Sequence, residues 1–216
     1  MGIRLLFSSH EERPVRSILL SSVNPDEDVG EIAANLAVVL AQTGSRVALV
    51  DANLYHPTID RHFGVANRCG LADVLSGECR SIDLTVIDWA PGLSVLPAGT
   101  VTDNSFVLLA SPRMLEVLQE LAQQVDIVLI AGSPLSRFAD SLFLASRVDG
   151  VALVTHTSQT RRAMLHDTIG SLRSVGAYLI GSILRDPRWE TVLPARTNGK
   201  PAVQPDELET VYPPGE

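Results

Sequence analysis

ILLSSVNPDEDVGEIAANLAVVLA, residues 18–41, opens on a short apolar run, crosses a polar turn and enters an alanine-rich helical pattern. Strand, tight loop and helix in that order are the scaffold of a phosphate-binding loop. Such a loop needs glycines so that backbone N–H groups can wrap phosphates, a lysine to reach the β and γ oxygens, and a Ser or Thr for Mg²⁺. At those places stand Asp26, Asp28, Val29 and Gly30. The helix is expected from about Gly30 to Thr43, with Ile32, Leu36, Val39 and Leu40 on one face and Gly44 as its stop. Arg46–Val50 then reads as a buried strand ending at Asp51. Strand, helix, strand at this spacing is a βαβ unit with parallel pairing and a right-handed crossover.

The pattern continues in both directions. The first strand is expected over about Val15–Ser22, after a lead-in, residues 1–14, that carries Leu5, Leu6 and Phe7. Residues 52–82 are turn-rich with short helical pieces, among them LADVLSG from Leu71 to Gly77. Strands follow at Leu93–Pro97, Asp126–Ala131, Gly150–Thr155 and Tyr178–Leu184. Helices are expected from Ser111-Pro112 (cap and first turn) to Gln124, over Ser141–Arg147, and over Thr160–Ser174. Near-continuous apolar strands alternating with helices mean an α/β, doubly wound, mostly parallel sheet flanked by helices. One domain is expected over residues 15–185. Beyond it, residues 186–216 form a proline-rich acidic tail, expected to be extended or disordered.

Composition narrows the function classes. A formal charge of −8 disfavours nucleic acid or an anionic membrane as a direct partner. The longest apolar run, Ile32–Ala41 with only Asn35 intervening, is too short to cross a bilayer, and no signal segment follows Met1. Two cysteines, Cys69 and Cys79, in a long core-rich chain read as reduced cytosolic thiols. Lys200 is the single lysine and lies in the tail, so no lysine of the folded body can replace the missing loop lysine.

IAANLAVVLAQTGSRVALVDANLYHP, FGVANRCGLADVLSGE, PGLSVLPAG, LLASPRM and VDGVALVTHTSQTRR, taken in order, resemble the cytoplasmic domain of bacterial tyrosine kinases (BY-kinases) and related polysaccharide co-polymerases, within the MinD/ParA branch of P-loop ATPases. The resemblance implies a P-loop NTPase fold and places chemistry at four points. At the loop, Glu27 survives while both glycines, the lysine and the hydroxyl are replaced in Asp26, Glu27, Asp28, Val29, Gly30 and Glu31. The D-x-D strand end is Asp51-Ala52-Asn53, half retained, and the expected Walker B aspartate is Ala131, followed by Gly132-Ser133-Pro134. An asparagine that touches adenine in active relatives is replaced by Arg185.

Phosphate charge brought to about 6 Å from a carboxylate costs roughly 3 kcal/mol at an effective dielectric near 20. A helix N-terminus returns only about 0.3–1 kcal/mol. The cluster Asp26, Glu27, Asp28 and Glu31 is therefore expected to reject Mg-ATP.

The resulting expectation is a catalytically inactive, pseudo-kinase domain without cofactor, acting as scaffold or regulator in capsular or exopolysaccharide biosynthesis and export. Its partner would be an active homologous kinase or a membrane-embedded chain-length regulator. It would be cytoplasmic, at the inner face of the membrane through that partner or through an N-terminal module absent from the chain. The alternatives are an ATP- and Mg²⁺-dependent tyrosine kinase or ATPase with an atypical site, and a ParA/MinD-like positioning protein. Self-association stays open, because Met1–Arg4 has room for at most the last residue of the family's arginine-rich assembly motif.

Competing readings of single residues are blander. Asp26, Glu27, Asp28 and Asp51 could ligate a hard cation, but a solvated self-capping loop needs no metal, and none is expected. His56, His62, Cys69 and Cys79 match no zinc spacing and read as surface histidines and buried cysteines. Gly132-Ser133-Pro134 is not a nucleophile elbow. Tyr212 is the one tail tyrosine, a candidate phospho-acceptor but more simply inert. Arg161 and Arg162 open a helix, where cations oppose the dipole; an interface pair and a solvated pair fit equally.

Overall fold

A computed structural model describes residues 15–25, 27–100 and 104–185. Asp26, Lys200, Tyr212, the lead-in and the tail lie outside the described residues. In chain order the elements are β1 (Ser17–Ser22), α1 (Val29–Gln42), β2 (Val47–Asp51), α2 (Ile59–Phe63), α3 (Leu71–Ser76), β3 (Thr85–Val86), β4 (Leu93–Leu96), α4 (Ser105–Leu109), α5 (Pro112–Gln124), β5 (Ile127–Ala131), α6 (Ala139–Ala145), β6 (Gly150–His156), α7 (Arg162–Ser174) and β7 (Leu179–Arg185).

The strands form one sheet in the order β3-β4-β2-β5-β1-β6-β7. All neighbours pair in parallel except β3, which runs antiparallel to β4. Alternate residues of each strand feed opposite cores. Leu19, Val50, Val128 and Leu153 pack with α3, α5 and α6, whereas Ile18, Leu20, Leu49, Leu129 and Val154 pack with α1 and α2. Burial on both faces is why the strands read as unbroken apolar runs and not as alternating ones.

That topology positions the site. β1 lies between β5 and β6, so the chain leaving β1 and the chain leaving β5 diverge. α1 joins the core on one face of the sheet and α6 the core on the other. A crevice therefore opens at the carboxyl ends of β1 and β5, the place where doubly wound folds bind ligands.

Two expectations are corrected. Cys69 and Cys79 are not free thiols but are joined in a disulfide, with Cα atoms 5.7 Å apart. Gly77, in the left-handed conformation, turns the chain back after α3, and the Cys79 N–H bonds the Asp73 carbonyl at 2.9 Å. That carries Cys79 beside the start of the helix, a closure that a compartment argument from composition does not see. Nor are these cysteines buried: Cys69 is exposed and Cys79 only half-buried. β3 and α4 were not anticipated, being too short for any hydrophobic period.

Candidate functional site

The loop from Val23 to Asp28 leaves β1 and delivers the start of α1 to the crevice. Asp28 is the N-cap, its Oδ1 accepting the Glu31 N–H at 3.1 Å. The same oxygen accepts the Thr58 hydroxyl at 3.2 Å, and Oδ2 lies 3.2 Å from His62 Nε2. Burial pushes the Asp28 carboxyl up, but the His62 ring, the Glu31 N–H and the Thr58 hydroxyl outweigh it, and the net shift is downward. Asp28 is held as an anion, with α2 as its second support. His62 is thus half-buried and engaged, not a solvated surface histidine.

Glu27 departs from the expected solvated loop. It is 8% exposed, and its Oε1 accepts from Arg185 Nη1 at 3.1 Å. Arg185 Nη2 reaches Glu31 Oε2 at 3.2 Å. One guanidinium thus ties the end of β7 to the β1 loop and to the first turn of α1. Arg185, at the place where the family resemblance implied an adenine contact, is turned inward onto the protein's own acids.

Asp51 ends β2, 1% exposed. Its Oδ1 accepts the Asn53 N–H at 3.1 Å, and its Oδ2 accepts the Thr58 and Ile59 N–H groups at 3.0 Å each. Desolvation nevertheless dominates these three bonds and raises the carboxyl to about 6. Asp51 therefore anchors α2 and the turn before it. Asn53 is spent on that turn, its side-chain oxygen accepting the His56 N–H at 3.3 Å. Val29 points away from the crevice into the core at 4% exposure, and Ala131 is buried beside Asp51 in the β2–β5 register. Gly30 lies under Thr58, whose hydroxyl fills the space that a Cβ at position 30 would take.

The far wall of the crevice follows β5 and was missed from sequence. Asp140, at the start of α6 and 1% exposed, accepts the Ser133 hydroxyl and the Ser105 hydroxyl at 2.8 Å each and the Ser141 N–H at 2.7 Å. Ser21 of β1 donates to the Ser133 carbonyl at 2.6 Å. The one available signal was an acid inside an otherwise apolar helix, ADSLFLA. Ser133 is buried in this network with no histidine bonded to it, so no nucleophile is assembled there.

The structure thus joins Asp28 to Asp51 through Thr58 and Glu27 to Glu31 through Arg185, with the Glu31 N–H on Asp28 connecting the two pairs. It turns Val29, Asn53 and Ala131 to other tasks. Among the described residues no group of three or more His, Cys, Asp or Glu is arranged to hold a metal ion, and no helix is long and apolar enough to cross a membrane. Arg161 and Arg162 are exposed at the start of α7.

No protein-family model matches the chain. It is 31% identical over 173 residues to the tyrosine-protein kinase YwqD of Bacillus subtilis, covering 80% of this chain and 73% of YwqD. Against EpsB of Ralstonia solanacearum identity is 32% over 167 residues, 77% of this chain but 22% of EpsB. The succinoglycan biosynthesis transport protein ExoP of Rhizobium meliloti is 31% identical over 172 residues, and this chain again spans only 22% of its length. Among solved structures, the VpsO kinase domain superposes with a TM-score of 0.78 at 29% identity, over 86% of this chain and 91% of that domain. MinD of Pyrococcus horikoshii complexed with Mg-ADP gives 0.64 at 27% identity, over 81% of this chain and 72% of MinD. A sheet of this order, with its crevice between β1 and β5 and these likenesses spread along the whole domain, places the chain in the bacterial tyrosine-kinase family, on the fold shared with MinD-like P-loop ATPases.

Proposed function

We propose that this domain keeps the kinase fold without using Mg-ATP and acts as a scaffold or regulator in capsular or exopolysaccharide biosynthesis and export. It would dock to an active homologous kinase or to a membrane-embedded chain-length regulator, at the inner face of the membrane. The observation that carries this reading is the Arg185 clamp. The Arg185 guanidinium is engaged by Glu27 and Glu31, and Asp28 adds a further anion at the same helix end. Each carboxylate within about 6 Å of a phosphate charge costs roughly 3 kcal/mol, and the described residues include no lysine to offset it. The polysaccharide role rests on kinship with ExoP, a succinoglycan biosynthesis transport protein.

Calorimetric titration of the full chain with Mg-ATP, with YwqD as the positive control, tests the first half. No binding below millimolar concentration is expected, and sub-millimolar, Mg²⁺-dependent affinity overturns it. Pull-down of the chain with polysaccharide-export proteins tests the second half. Recovery of positioning or pilus components instead would move the domain to the MinD-like reading.

A second reading, an active ATP-dependent kinase or ATPase, draws on one feature: Asp51 stands at the strand end where the D-x-D carboxylate is expected. Hydrolysis by the unmodified chain that is lost in Asp51→Asn would favour it.

A further inference from the structure

On the face of the sheet opposite α1, a hollow of about 130 Å³ opens between the start of α5 and the outer side of α6. Leu109, Met114, Leu115 and Phe143 give it apolar walls, and Ser111 and Arg147 supply its polar atoms. Three features set it apart from an ordinary surface dent. The Ser111 hydroxyl, at the N-cap of α5, is buried with no hydrogen-bond partner among the described residues, a state that costs stability unless something fills it. Arg147 stacks over the Phe143 ring at 5.0 Å. No carboxylate is paired with it among the described residues, which leaves its charge open to an anion from outside them. Phe106, edge-on to Phe143 with ring centroids 6.3 Å apart, is 47% exposed, and its neighbour Val107 is 66% exposed.

This combination defines the occupant by chemistry. The volume suits one aromatic side chain, since a dry cavity of roughly 150 Å³ admits benzene. The orphan hydroxyl wants a polar group at the tip of that ring. Arg147 wants a carboxylate beside it. The occupant is therefore an acidic peptide with a tyrosine anchor. The chain carries one in its own tail, Asp206-Glu207-Leu208-Glu209-Thr210-Val211-Tyr212, with no cation after Lys200. The linker from Asp186 to Pro205 spans up to roughly 3.3 Å per residue, enough to reach any face of a domain this size.

We propose that residues 206–212 dock in this hollow in cis. Tyr212 enters beside Leu109 and Phe143 and shares a hydrogen bond with Ser111, and the acids before it face Arg147. This surface lies apart from the crevice, so it does not depend on whether nucleotide binds there.

Hydrogen–deuterium exchange of the full-length chain tests it, with Arg147→Glu as the comparison. Arg147 is exposed, so the amides of β1 and β5 should stay equally protected in both proteins, which checks the fold. Amides of residues 206–212 are expected to exchange about tenfold slower in the unmodified chain than in the variant. Equal exchange in the two proteins overturns the proposal. So does slowing that vanishes on dilution, because the contact would then belong to a second copy of the chain.

Discussion

The two turns that border the crevice are filled in opposite ways. After β1 the chain crowds carboxylates at a helix start and gives each a partner: the Arg185 guanidinium on Glu27 and Glu31, the His62 ring on Asp28. After β5 it removes charge from the strand end, with Ala131 buried there, and gathers serine hydroxyls around the single carboxylate of Asp140. The first wall is reached by solvent at Arg185, which is 36% exposed, and is accordingly weakened by screening. The second is dry, so every member of it must be satisfied. A crevice can thus be closed by ion pairs that remain adjustable or by hydrogen bonds that do not.

The largest effect is expected on the dry side. Asp140→Ala strands two buried hydroxyls and a backbone N–H, and should cost about 3–5 kcal/mol in denaturant unfolding. A loss under about 1 kcal/mol would show that this wall tolerates an unsatisfied group and would dissolve the contrast.

Asp51 links the two walls, pairing in register with Ala131 while anchoring the turn that carries Thr58. Its folded pKa, about 6, stands above the ordinary 3.8. The folded state therefore holds the proton more tightly than the unfolded chain between those values. The contribution of Asp51 is fully present below pH 3.8 and is lost as pH rises through about 6. The stability of the unmodified chain relative to Asp51→Asn should fall by about 2–3 kcal/mol between those limits. A difference that does not vary with pH would remove desolvation as the controlling influence there.

On the charged side the costs are smaller. Arg185→Ala should lose about 1–2 kcal/mol, and adding Glu27→Gln should return part of it, because the buried anion is then gone. Simple additivity would mean that the clamp seen here contributes nothing as a pair. Smallest of all, Asp28→Ala removes an N-cap, for about 1 kcal/mol, while Asp28→Asn keeps the cap and should cost less. If the asparagine variant is the worse of the two, the charge of Asp28, and not its capping bond, is what matters.

The sheet and its major helices were legible because each strand is buried on both faces and each long helix shows a cap or a stop. Ser111-Pro112 opened α5 and Gly44 followed α1 as expected. The acid cluster was legible too, since its members are neighbours in sequence. Its partners were not. Arg185 is separated from Glu27 by 158 residues and from Glu31 by 154, and His62 from Asp28 by 34. Only the strand order, which brings the ends of β1, β6 and β7 together, makes those partners available. Ser105 and Asp140 escaped for the same reason, being 35 residues apart on two short helices. Local pattern reveals elements; a polar site assembled across a sheet has no local pattern to reveal.

The packing of Thr58 onto Gly30 makes the first turn of α1 answer to the turn before α2. A side chain introduced at residue 30 collides with that hydroxyl, and the Thr58 N–H is itself bonded to Asp51. A larger residue at position 30 therefore needs Thr58 to give way, and because Thr58 reaches Asp51 through its backbone N–H, a Thr58→Ala change can make that room while leaving the anchor in place.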